Sequence, residues 1–182
     1  MEAKRDYYNV VQDAIFDAIQ ISLGLTDAEA NAFIRYVSPS GESQPLTLAP
    51  DENRCYVRLG GIALSGVGSK DRLYEDVEAG VEKTIRMLDG LTAFLVFYGP
   101  DAATYAQKTQ VGLHEDTVRE KLRMDGIALV DNSPTPVWLP ELYNGNWLNR
   151  CDLEVRLYRM VEYTETLPAV QVVPEIIIRR DI

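Results

Sequence analysis

With 182 residues, 46% of them hydrophobic and 25% charged, the chain is long enough to bury a core, and its composition excludes intrinsic disorder and a coiled coil. Lysine and arginine number 18 against 28 aspartates and glutamates, a formal net charge of −10, which suits neither wrapping nucleic acid nor settling on an anionic membrane, since both need clustered cations. No stretch approaches the ~20 apolar residues of a membrane span and the opening MEAKRDYYNV lacks a signal peptide's apolar run, so a soluble, unsecreted single domain is expected over residues 1–182.

Between Tyr7 and Leu23, apolar and small residues recur at helical spacing: Tyr7, Val11, Ala14, Ile15, Ala18, Ile21 and Ser22. Asp13, Asp17 and Gln20 fall at other angles, which predicts an amphipathic helix stopped by Gly24. Thr26 with Glu29 three residues on reads as a capping box opening a second helix through about Tyr36, which completes a helical segment over 1–37. Ser38 to Glu52 carries three prolines and sustains neither period, so residues 38–53 are expected to form a flexible loop that orders on docking to a neighbouring partner.

The sheet is expected within 54–182. Arg54–Ser65 alternates Cys55, Val57 and Leu59 against Tyr56, Arg58 and Gly60, and Asp76–Leu88 alternates in the same way. Leu91–Tyr98 is a continuous apolar run, which suggests a central strand covered on both faces. Gly66–Arg72 and Asp89-Gly90 read as turns, the latter as a hairpin. Asp101 is placed to cap a helix with the stripe Ala102, Tyr105, Ala106, Thr109 and Leu113, and a second stretch from Glu115 adds Val118 and Leu122 before Gly126. Ile127–Val130 reads as a short strand, Asp131–Pro140 as a loop and Trp147–Tyr163 as the clearest strand. Val170–Ile178 reads as an edge or bulged strand because Pro174 cannot donate to a ladder. This order predicts an α+β fold: a mixed, mainly antiparallel sheet with an N-terminal helix and a middle helix packed on one face.

Catalytic and metal-binding patterns are missing. His114 is the sole histidine and reads as a solvated surface residue beside acidic neighbours, and neither HxxxH nor HxH occurs. Gly66-Val67-Gly68-Ser69-Lys70-Asp71 lacks the lysine-then-hydroxyl order of a phosphate loop. The acidic clusters Glu75-Asp76-Glu78 and Glu115-Asp116 lack calcium-loop spacing. Cys55 and Cys151 have no ligand-spaced companions and read as buried reduced thiols. No catalytic residue, metal or cofactor is therefore expected.

Two surface features stand out instead. Trp138, Tyr143 and Trp147 fall in a segment rich in proline and asparagine, either as partner-contact anchors or packed on the sheet. Arg150, Asp152, Glu154 and Arg156 form one charged face of the long strand, either a candidate oligomer interface that would set register or a solvated face.

The run FYGPDAATYAQKTQVGLHEDTVREKLRMDGIALV, followed by LPELYNGNWLNRCDLEVRLY, resembles the neck and tail terminator proteins of tailed bacteriophages, over about Arg54 to the C-terminus. An N-terminal helix before the sheet, and Trp147 and Arg150 opening the long charged strand, fit the same resemblance. It implies a structural virion protein of the head-tail junction, made in the host cytoplasm and carrying out no reaction. Such a protein forms a homo-oligomeric ring, a hexamer, that caps the tail tube and meets a head-side connector, adaptor or stopper, while genome DNA passes through without specific binding and no membrane is involved. Six copies at −10 each would line an acidic channel that repels DNA and lets it slide. Other readings are a head-tail adaptor or stopper, or a small acidic enzyme or inhibitor that binds a basic host protein.

Overall fold

A computed structural model of the chain describes residues 3–37, 49, 51–62, 71–77, 80–130 and 135–168. In chain order its elements are α1 (Ala3–Leu23), α2 (Asp27–Phe33), β1 (Ile34–Tyr36), β2 (Arg54–Ile62), β3 (Asp71–Val77) and β4 (Gly80–Tyr98). They continue as α3 (Ala102–Gly112), α4 (Asp116–Met124), β5 (Ile127–Leu129), β6 (Val137–Trp138), β7 (Glu141–Tyr143), β8 (Asn146–Leu148) and β9 (Arg150–Pro168). The main sheet has the order β1-β2-β4-β9-β5, with β3 beside the first residues of β4 and β6 beside the first residues of β9. β7 and β8 form a small sheet of their own. Among the described residues only β1 and β2 are parallel, so the fold is the expected α+β type with a mixed, mainly antiparallel sheet.

Alternation along β2, β4 and β9 decides which side faces the core. Cross-strand rows Cys55–Phe97–Cys151, Val57–Leu95–Leu153 and Leu59–Ala93–Val155 lie on one face, and all of these residues but the partly buried Leu59 are buried. Helices cover that face. α1 contributes Val11, Ala14, Ile15, Ala18 and Ile19, α3 contributes Ala102 and Ala106, and α4 contributes Val118 and Leu122, all in one hydrophobic cluster. Phe33 of α2 packs its ring 4.9 Å from Tyr105 and 6.4 Å from Phe97, tying the second helix to the sheet. Cys55 and Cys151 flank Phe97 on its two sides. Two strand spacings, about 10 Å, separate them, beyond the ~7 Å a disulfide spans, and both are free thiols as expected.

Several sequence expectations need correction. The stripe of α1 turns on Ile19 rather than Ile21, which is 43% exposed; Ile19 continues the i, i+4 line from Ile15. The capping box at Thr26 and Glu29 is present, but α2 ends at Phe33 because the chain turns extended at Ile34 and pairs with β2 as β1. Asp89-Gly90 is no turn. β4 runs straight through it, Gly90 lying between Ile62 and Tyr158, and the antiparallel pair that precedes it is β3 on β4, up to Val77 opposite Gly80. Arg72 therefore belongs to β3, and the expected strand 76–88 is the end of β3 plus the start of β4.

Asp101 makes no side-chain cap to α3. The expected loop 131–140 contains β6, paired with Asp152 and Cys151, and the expected strand from Trp147 divides into β8 and β9. Among the described residues helices cover one face of Leu91–Tyr98; on the other, side chains of its own sheet cover part of it. Most of the expected loop 38–52, the glycines Gly66 and Gly68 and the strand Val170–Ile178 lie outside the described residues.

Gly112 marks the closest approach of α1 and α3. A Cβ built there would lie 2.4 Å from Ser22 Cβ, so Gly112→Ala must push the helices apart. Overpacking of this kind costs about 1–3 kcal/mol, and denaturant unfolding is expected to show the loss as a lower midpoint at unchanged slope.

Candidate functional site

Among the described residues, the face of the sheet away from the helices carries a network of paired charges. Parity places Arg150, Asp152, Glu154 and Arg156 on it together, as expected, and the register sets them beside a second file on β4: Tyr98, Val96, Phe94 and Thr92. A third file follows on β2, where Arg54, Tyr56 and Arg58 oppose Tyr98, Val96 and Phe94. Sequence alternation predicts a wet face for the strand from Arg54 and for the long charged strand but not for Leu91–Tyr98, and without the register it could not show that these three files abut.

These charges are largely satisfied within the chain. Arg150 grips Asp152 through two parallel bonds of 2.7 Å and donates a third, of 3.0 Å, to Glu141 Oε2, while Arg156 donates to Glu154 at 3.0 Å. The Arg150 guanidinium also lies 5.9 Å from the Tyr98 ring centroid, and that of Arg58 lies 4.6 Å from Phe94. The Tyr56 ring meets Tyr98 edge-on at 5.8 Å. Arginine stems and planes thus cover aromatic surface that a second layer of helices would cover elsewhere.

Glu141 is the hub at one end and was not singled out by its sequence context. Its Oε2 accepts from Tyr98 Oη at 2.7 Å as well as from Arg150, which fastens the β7–β8 hairpin to the main sheet. The Tyr98 hydrogen bond, with Arg150 adding to it, holds the Glu141 carboxyl below the usual carboxylate range. Burial pushes the Tyr98 phenol up, and the bidentate bond to Asp152 raises Arg150 further.

The three aromatic candidates are not gathered at one point. Trp138 is 63% exposed at the β6 edge, on the register row of Cys151, whereas Trp147 is 71% exposed opposite Leu142 on the β7–β8 hairpin. Tyr143 is half-buried beside the turn, where Asn144 (φ 48°) and Gly145 (φ 80°) supply the left-handed pair of a two-residue hairpin. Phe94, Val96, Val137 and Leu139 form the apolar floor of an open groove of about 510 Å³, rimmed by Asp152, Glu154 and Arg156.

Where the resemblance places Tyr-Gly before Asp-Ala, the geometry supplies a reason. Gly99 has φ 110°, and a Cβ there would lie 2.5 Å from Asn53 Oδ1 and 2.7 Å from Glu52 O. Asn53 then holds the start of α3 from outside: its Oδ1 accepts from Asp101 N at 3.0 Å and its Nδ2 donates to Asp101 Oδ2 at 3.2 Å.

His114 is half-buried, correcting the expectation of a solvated ring; its Nδ1 lies 3.2 Å from Arg119 Nη2, and its buried Nε2 finds no partner among the described residues. No group of three or more His, Cys, Asp or Glu among the described residues could hold a metal. No described helix is long and apolar enough to cross a membrane.

Among the described residues, β3, β4 and β9 make up the main sheet from Arg86 to Gly80, an arm beyond the ends of β2 and β5. Its cross-strand contacts include Lys83–Glu165 at 3.5 Å, Arg86–Glu162 at 2.6 Å and Thr84–Thr164 at 3.3 Å. Leu73, Tyr74, Met160 and Tyr163 are exposed on it.

The described residues form an α+β fold that presents satisfied charges and exposed aromatics on its surface. The family described as phage neck terminator protein matches the chain over residues 10–181, and the chain belongs to that family. It is thus a structural protein of the phage virion's neck, and the match extends over the N-terminal helices as well as the stretch from Arg54. No curated protein matches the chain.

A carboxylate held below its ordinary pKa adds stability that is fully present above the unfolded value near 4.5 and is lost as pH falls through the folded value. Acid titration followed by thermal unfolding is expected to show this loss below about pH 4.5, the unperturbed carboxylate value, and Glu141→Gln should flatten that part of the curve.

Proposed function

We propose that the chain forms a ring of six subunits that caps the completed phage tail tube and joins it to the head-side connector, with genome DNA passing through the channel. The observation that carries this reading is the neck terminator family's match across residues 10–181. The chain is made in the host cytoplasm, assembles without a reaction and ends in the neck of the virion.

Physical features support the same role. A formal −10 per subunit gives the channel a charge that repels DNA and lets it slide. Heterologous contacts that close on themselves need complementary surfaces in fixed register. The file Arg150, Asp152, Glu154 and Arg156 is the proposed subunit contact, with its pairs already formed, so that association sets register without stranding a lone charge. Trp138, Tyr143 and Trp147 are the proposed contacts with the tube protein or the connector; Trp138 and Trp147, the exposed pair, offer large anchors of low conformational-entropy cost.

A phage deleted for this chain is expected to make tails that are over-long or unjoined to heads, and the chain should co-purify with tube protein. Normal tails and full infectivity would remove the reading. Inverting the pair with Glu154→Arg and Arg156→Glu is expected to weaken ring formation in negative-stain micrographs. Monomer stability should change by no more than about 0.5 kcal/mol, as for other exposed substitutions.

A further inference from the structure

Among the described residues the arm has two open sides. β4 is paired on both flanks along Gly80–Arg86, by β3 and by β9. Among the described residues no strand pairs with the outer side of β3 over Asp71–Val77, or with the outer side of β9 beyond Arg159, where β5 ends. An open strand side is a row of backbone donors and acceptors ready for another strand, and proteins that must avoid this blunt it with prolines, bulges or brevity. Neither proline nor bulge interrupts Asp71–Val77 or Met160–Leu167, which keep one-to-one register with β4.

These two sides fit one another. β3 and β9 both run antiparallel to β4 and so run in the same direction. β3 of one copy can therefore lie beside β9 of the next while both copies keep the same orientation about a common axis, which is the head-to-tail contact a closed ring requires. Pairing like with like, β3 on β3 or β9 on β9, would relate copies by a two-fold and invert one of them, which closes no ring of like-oriented copies. The charges agree with a contact that forms only on assembly: Glu162 and Glu165 are held by Arg86 and Lys83, while Glu75 faces Glu82 directly. Excess acid keeps free copies apart, and salt shortens the reach of that repulsion.

We infer that the arms join the subunits edge to edge: residues 71–77 of one copy add to residues 160–167 of its neighbour, so that a single sheet runs around the ring. This rests on the ring proposed above and adds, beside the charged file, a second subunit contact along the arms.

Paired cysteines test it. Leu73 and Thr164 both oppose Thr84, so they lie two strands apart in one chain, about 10 Å, beyond the ~7 Å a disulfide spans. One chain carries Leu73→Cys with Thr164→Cys, and a second carries Leu73→Cys with Thr166→Cys, a two-residue stagger on the same face. Each is oxidised at high salt, as purified chain and in phage particles, and run on non-reducing gels. The expected result is a ladder of covalent multimers beyond the dimer from at least one pair, while each variant with one added cysteine stops at dimer, since Cys55 and Cys151 are buried. Rings in micrographs without a ladder from either pair would overturn the edge contact and leave the ring standing. A chain that sediments as monomer at every salt and concentration, and gives no ladder in particles, would remove the ring reading as well.

Discussion

The structure depends on one continuous ladder. β4 and β9 pair without interruption from Gly80 opposite Pro168 to Tyr98 opposite Arg150, and among the described residues every other strand of the main sheet pairs with one of these two, except β1, which pairs with β2. Because side chains alternate with a period of two, this single register fixes two faces along its length. Phe97, Leu95 and Ala93 meet Cys151, Leu153 and Val155 on the helix side, and Tyr98, Val96 and Phe94 meet Arg150, Asp152 and Glu154 on the other. A slip of one residue would bury the charges and expose the core, so the hydrophobic set and the charged file specify each other.

The helix-free face illustrates how a sheet is finished without a second layer. Arg58 over Phe94 and Arg150 beside Tyr98 cover aromatic rings with planar cations, each such contact adding about 0.5–1 kcal/mol at an exposed site. Asp152 and Glu141 satisfy the Arg150 donors, so the covering groups bring few unmet hydrogen bonds with them. The result is polar enough to stay in water, yet rigid enough to offer a fixed pattern of charge to a neighbour.

Much of this was legible in the sequence because it follows from local periods. The stripes of α3 and α4, the capping box at Thr26 and the alternation from Cys151 to Leu157 are set by residues within one or two turns of each other. What escaped was set by pairing across the chain. Asp89-Gly90 has turn chemistry, but Ile62 and Tyr158 on either side of Gly90 hold it in a strand. Asn144-Gly145 has the same chemistry with no such neighbours, and there the chain does turn. Glu141 was passed over because its partners Tyr98 and Arg150 are distant in sequence, and Asp101 was read as a cap when Asn53, from another segment, holds that helix start.

The shared length of β4 and β9 also has a mechanical meaning. The same two strands that carry the arm run on beneath α3, with Phe97 and Leu95 among the most deeply buried side chains. A tug along the arm's axis would load the rungs of this ladder in shear, many at once, rather than peel them open singly. Tension arriving at the far tip would thus be shared by the packed body as in a spliced beam, so the projecting part behaves as a stiff extension of the body and not as a hinge.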